Sequence, residues 1–194
     1  MSNAIVLEDL GRIKVIRFNR PGIRNPLSVF VVEKLHEILD QVTTDTGIEA
    51  VIFTGQENVF ASGADIREIA GLTSEAAPEF ARRGQGLMRK IETCGKLTVA
   101  AINGFCFGGA LDLALSCERR IASPNAIFSH PGVTLGIITG WGGTQRLPRL
   151  IGEARALEMF MTAKRVTADE ALRIGLVDEV SSEPLEAAIL WKKV

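Results

Sequence analysis

The chain has 194 residues, 46% of them hydrophobic and 23% charged, with a formal net charge of −1. That length suits one domain over residues 1–194 with a sizeable core, and the balanced charge excludes a nucleic-acid-binding surface. Three cysteines, Cys94, Cys106 and Cys117, without CxxC spacing, argue against both a disulfide framework and a metal site.

Residues 1–21 lack the basic segment and long apolar stretch of a signal peptide. No apolar run approaches the ~20 residues of a membrane span, so a cytoplasmic protein without membrane contact is expected. Residues 5–19 read as two short strands around the turn "EDLGR", the second rich in β-branched residues. "RPGIRNPLS" is a loop ending in a helix cap at Ser28. Residues 31–43 form an amphipathic helix with Val32, Leu35, Ile38 and Leu39 on one face, and His36 on its polar side is expected at the surface. "AVIFTG" is a buried strand, and "NVFASGADIREIAGL" a loop running into a short helix. Residues 79–94 are a second amphipathic helix, and "LTVAAING" another buried strand. "RRIASPNAIFSHPG" supplies two short strands about a Ser-Pro-Asn turn. "GGTQRLPRLIGEARALEMFMTA" is helical, with a kink or break expected at Pro148. "VTADEALRIGLVDEV" opens on Thr167 and Glu170, the spacing of a capping box. "EPLEAAILWKKV" begins an amphipathic helix whose apolar side chains need a cover, from its own domain or from a neighbouring subunit. Apolar strands alternating with helices give an α/β protein with strands buried on both faces.

The chemistry concentrates in "VAAINGFCFGGALDLALSCE". After a buried strand, Gly108 and Gly109 let the chain turn sharply and let a ligand approach closely. The same glycines also suit plain strand–helix packing. The first amides of the following helix lack partners within it and favour negative charge, such as a carbonyl oxygen gaining electrons. Asp112 stands one turn later among Ala110, Leu111, Leu113 and Leu115. Burial there raises a carboxyl's pKa and fits it to carry a proton. A second amide donor is offered by "FASGADIRE", whose small residues leave room for a ligand chain.

"FASGADIREI", "AAINGFCFGGALDLAL" and "GGTQRLPRLIG" followed by "ADEALRIGLVDEV" together resemble the crotonase superfamily of enoyl-CoA hydratases and isomerases, over residues 5–180. The resemblance implies a crotonase-like spiral of ββα repeats and a role in fatty-acid metabolism. It implies an acyl-CoA substrate, no further cofactor, and a homotrimer or dimer of trimers. It implies that the thioester carbonyl sits between the amides of Ala64 and Gly109. By the same matching, Ser62, Gly63, Asp65, Ile66 and Gly108 contact the substrate, and Arg24 meets a phosphate or the adenine of CoA. Trp141 and Thr139 line the acyl pocket or, equally, pack the core.

Hydratases of that family activate water with two glutamates. The first falls at Asp112, one methylene shorter, and the second at Gly132, which has no side chain. General acid–base assistance is worth ~10²–10⁴-fold, so hydration by two acids is expected to fail while enolate stabilisation survives. His130 shares the side-chain direction of Gly132 on an extended segment; standing before Pro131, it is read as bonding the backbone and shaping the turn. The family's further C-terminal helices are expected to be largely absent, weakening the trimer. The expected function is thus an acyl-CoA enzyme of this family with Asp112 as its single acid or base, performing a proton shift, decarboxylation or thioester cleavage. The alternatives are a non-catalytic acyl-CoA-binding paralogue or subunit of a larger assembly, and a Clp-type serine protease, which would need a nucleophilic serine that the glycine-rich turn lacks.

Overall fold

The computed structural model describes residues 4–191. β1 (Ile5–Leu10) and β2 (Ile13–Phe18) pair antiparallel across a turn at Gly11 and Arg12. A 3-10 turn (Pro21–Ile23) and β3 (Pro26–Leu27) lead to Ser28, whose hydroxyl accepts from Val31 N at 3.4 Å and caps α1 (Val29–Thr44). β4 (Ala50–Thr54), β5 (Val59–Ala61) and β6 (Gly63–Ala64) precede α2 (Ile66–Ala70) and α3 (Ala77–Thr93). β7 (Leu97–Ile102) and β8 (Phe105–Phe107) precede α4 (Gly109–Ser116). β9 (Arg119–Ala122), β10 (Ile127–Ser129) and a second 3-10 turn (Pro131–Leu135) precede α5 (Gly143–Ile151) and α6 (Glu153–Thr162). β11 (Val166–Thr167), α7 (Ala168–Arg173), β12 (Glu179–Val180) and α8 (Pro184–Leu190) follow.

The repeating unit is ββα, and its two strands part company. The first strand of each unit joins a larger sheet, ordered β1-β2-β4-β7-β9-β12; the second joins a smaller one, ordered β11-β10-β8-β5. β2, β4, β7, β9 and β12 run parallel, with Val15 opposite Ile52 and Ile52 opposite Val99. Parallel strands covered on both faces read as continuous apolar runs, and β4 and β7 are buried throughout. Their period of two still sorts the side chains. Ile16, Val51, Phe53, Ala100 and Ile102 face the main core with α1, α3 and α4. Val15, Ile52, Val99, Ala101 and Ile121 face the other way.

α8 covers that second face. Ala188 packs on the sheet with Leu185, Ile189 and Trp191 around it, so the helix docks on its own chain as the simpler expectation had it. The rest of the expected segment, residues 192–194, lies outside the described residues. Among the described residues no helix is long and apolar enough to cross a membrane.

Three local expectations change. The helical break falls at Gly152, not at Pro148, which stays inside α5. A proline one turn and a half into a helix removes a single backbone bond, whereas Gly152 adopts φ 87° and ends one helix while starting the next. β3, β5 and β6 are short strands where loops are expected, and β8 another within the glycine cluster. His36 is half-buried, its Nε2 3.1 Å from the carbonyl of Arg83 on α3.

Candidate active site

The ends of the ββα units meet at a cavity of about 290 Å³, lined by Ser62, Ala64 and Ile66 from the β5–α2 region, Gly108, Gly109 and Asp112 from the start of α4, residues 130–132, Leu135 and residues 137–141. Its remaining wall is apolar, with Ile69, Leu72 and Phe80 from α2, α3 and their link.

The start of α4 is fixed by its neighbour strand. Gly108 takes φ 54°, and its N–H donates to the Ser129 carbonyl of β10 at 2.9 Å. Gly109 then opens the helix with an amide that has no partner four residues back. Ala64 lies close by. A β-carbon built on Gly109 would be 3.3 Å from Ala64 N, and one built on Gly63 would be 2.7 Å from Gly109 N. The two amide nitrogens expected to share a thioester oxygen are thus neighbours on one wall, although one belongs to strand β6 and the other to the first residue of helix α4.

Asp112 is fully buried one turn into α4. Burial pushes its carboxyl up from 3.8 to about 6, partly offset by the Thr139 hydroxyl, the main-chain N–H groups of Trp141 and Gly143, and the Arg146 guanidinium. Thr139 donates to Oδ2 in a short hydrogen bond. Among the described residues Oδ1 has no hydrogen-bond partner, the Trp141 and Gly143 amides lying near the carboxyl without hydrogen-bond geometry. Instead it faces His130 Nε2 at 3.6 Å. His130 is itself buried, both its ring nitrogens lack partners, and burial pushes it down from 6.5 to about 4. The expectation that His130 bonds backbone is therefore corrected: its ring lines the cavity beside Phe160, centroids 5.1 Å apart.

Three expected contact residues do not line the cavity. Asp65 caps α2, and its oxygens accept from Arg67 N, Nε and Nη2 at 3.0, 3.0 and 2.7 Å; that pairing holds its carboxyl below the usual range. Gly63 serves by lacking a side chain, since φ 89° and a β-carbon 2.6 Å from Phe107 O leave no room for one. Arg24 is exposed with φ 63°, its carbonyl accepting from Ser62 N at 2.9 Å. Asn25 anchors that loop, its Nδ2 donating to the carbonyls of Val59 and Phe60 at 3.2 and 3.0 Å. Gly132 does line the cavity, but the space its side chain would enter is occupied: a β-carbon there would be 2.8 Å from Ile137 O.

Trp141 is a buried wall of the cavity, tilted against Phe80 at 5.8 Å. Two glycines that sequence alone does not single out make room, Gly84 for Trp141 and Gly143 for Asp112. A β-carbon on Gly84 would be 2.2 Å from the indole, and one on Gly143 would be 2.1 Å from Asp112 Oδ1. The only local signal was the cluster "GWGG"; Gly84 reads as an ordinary helical residue.

Over residues 8–190 the chain matches the family described as enoyl-CoA hydratase/isomerase. It is 42% identical over 193 residues to a short-chain-enoyl-CoA hydratase of Clostridium acetobutylicum, covering 99% of this chain and 74% of that protein. It is also 42% identical over 177 residues to a crotonyl-CoA hydratase of Syntrophomonas wolfei, covering 91% of this chain and 68% of that one. The crystal structure of an enoyl-CoA hydratase from Bacillus anthracis superposes with a TM-score of 0.91 at 37% identity, over 96% of this chain and 74% of that one.

Proposed function

Because the chain belongs to the enoyl-CoA hydratase/isomerase family, we propose that it binds a short acyl-CoA thioester in this cavity and moves a proton at the carbon next to the carbonyl. The thioester oxygen accepts from Ala64 N–H and Gly109 N–H, and Asp112 takes or gives the proton. The observation that carries the reading is one buried carboxylate beside two adjoining main-chain nitrogens in a largely apolar cavity.

The division of labour follows from the chemistry. Removing a proton next to a thioester leaves an enolate, whose charge gathers on oxygen. Preorganised N–H donors in a dry site stabilise that charge without reorganising. A carboxyl titrating near 6 holds both protonation states accessible around neutral pH. Thr139 occupies Oδ2 and leaves Oδ1 without a hydrogen bond among the described residues. Trp141 and Phe80 confine the acyl chain, and the coenzyme is substrate with no further cofactor. The reading includes self-association as a homotrimer or dimer of trimers. Exposed Leu157 and Met161 on α6 support it, and light scattering tests it.

The test compares wild type and Asp112→Asn with crotonyl-CoA and a 3-enoyl-CoA, and follows exchange of the α-proton of butyryl-CoA in D2O. Exchange in wild type, reduced about 100-fold or more by Asp112→Asn, supports the reading. Binding of CoA esters with no exchange or turnover in wild type would leave a non-catalytic binder instead.

A further inference from the structure

Resting on that reading, we propose that His130 is a second proton-carrying group of the site, working opposite Asp112 to add water across the double bond of an enoyl thioester.

Two orphaned polar atoms face each other on the cavity wall. Asp112 Oδ1 and His130 Nε2 are both buried, both without a hydrogen-bond partner among the described residues, and 3.6 Å apart. Buried polar groups are ordinarily satisfied, and leaving two unsatisfied side by side is costly. Their separation is too long for a good hydrogen bond, yet a single oxygen about 2.8 Å from each completes a triangle with them. Both residues line the cavity that also holds Ala64 and Gly109. The two side chains are 2% and 0% exposed, so the wall parts slightly to admit a water at that apex, where it sits between an acid and a base. Gly132 contributes no side chain to compete for the place.

Charge assigns the roles. Asp112 is pushed up to about 6 and His130 down to about 4. When the pair holds one proton, the proton therefore rests on Asp112 and the imidazole stays a base. This form carries no net charge, which suits a dry wall. His130 Nε2, with the ring proton on Nδ1, takes a proton from water as the water oxygen bonds to the β-carbon. The double-bond electrons move through the α-carbon onto the thioester oxygen. They return as Asp112 gives its proton to the α-carbon. Two O–H bonds, one of water and one of Asp112, and one C=C π bond break; one N–H bond on His130, one C–O and one C–H bond form. The pair is left as imidazolium and carboxylate, and one proton crossing from Nε2 to Oδ1 restores the start. No oxidant or reductant is needed.

The ionisable groups nearest the pair leave this ordering in place. Arg146 lowers Asp112 somewhat, but its guanidinium is held by Glu92 at 2.7 Å on two nitrogens. The Cys106 thiol is buried and raised well above its ordinary value, so it stays neutral.

The experiment measures hydration of crotonyl-CoA and α-proton exchange of butyryl-CoA on the same preparations. His130→Gln is expected to lower the ratio of hydration to exchange about 100-fold or more, through kcat rather than KM. In wild type, hydration should fall as pH rises through about 6, because it consumes the Asp112 proton, while exchange should rise through the same pH. The proposal is overturned if His130→Gln keeps the ratio, if the two wild-type profiles rise together, or if wild type exchanges without hydrating. Should the variant not fold, the opposed wild-type profiles decide alone. Absence of both reactions in wild type overturns the proposed function itself.

Discussion

Gly63 of β6 and Gly109 at the start of α4 press together so closely that a β-carbon on the first would lie 2.7 Å from the main-chain nitrogen of the second. Gly63 also has φ 89° and would meet Phe107 O at 2.6 Å. A side chain there is strained by the backbone angle and collides with backbone, which cannot swing aside. Gly63→Ala should therefore cost about 1–3 kcal/mol of stability and separate the two amide nitrogens. The checks are the denaturant midpoint and the affinity for a CoA thioester. Unchanged affinity in the folded variant would show that the close approach serves packing alone.

Asp112→Asn should stabilise the protein at neutral pH while removing its proton chemistry. The carboxyl is pushed up to about 6 from 3.8, so between those values the folded protein keeps a proton that the unfolded chain has released. Its stabilising contribution is complete below about 4 and is lost as pH rises through about 6, at most about 3 kcal/mol. His130 works oppositely. Pushed down to about 4 from 6.5, it contributes stability above 6.5 that is lost as pH falls through about 4. In wild type the two trends offset. In Asp112→Asn only the histidine trend remains, so its melting temperature should exceed wild type above pH 6 and drop faster on acidification. Thermal melts from pH 4 to 8 read this directly.

Gly132→Glu should not give a two-carboxylate site. Ile137 N–H donates to Gly132 O at 3.0 Å, and Ile137 O stands where the β-carbon would go, at 2.8 Å. The tight turn must open to admit any side chain, at an expected cost of about 1–3 kcal/mol. Gly132→Ala should carry much of the same penalty. Equal stability of wild type and both variants in urea would mean that the turn yields freely.

Ala188→Asp tests the docking of α8. Ala188 is buried on the outer face of the larger sheet among Val15, Ile52 and Val99, where an unpaired carboxylate has no partner. A loss of about 2–4 kcal/mol is expected, with the α-proton exchange of the folded fraction unaffected, because α8 touches the face opposite the cavity. Urea melts and the exchange assay together separate the two effects.

Much of this was readable in the residues, and what was missed has a common cause. α1 and its Ser28 cap, and α7 with its Thr167 cap, are local patterns, so spacing alone delivers them. Asp112 was conspicuous because one acid among leucines and alanines has few bland explanations. His130 was misread because its environment is tertiary. Only the parallel pairing of β8 with β10, Phe107 opposite Ser129, carries it to Asp112. Gly84 and Gly143 were invisible for a similar reason: each matters for an indole or carboxylate that arrives from elsewhere in the chain. Asp65 was assigned outward to a ligand when a neighbour two residues on, Arg67, already claims it.

The strand order also governs how the protein comes into being. From β1 to β9, each strand of the larger sheet lies beside its predecessor in that sheet, so the scaffold can accumulate in the order a ribosome releases it. The reactive corner cannot. Gly108 N–H waits for the carbonyl of Ser129, and Asp112 waits for Thr139. A nascent chain therefore completes most of a sheet well before the surroundings of Asp112 are in place, because Ser129 and Thr139 emerge only in its final third.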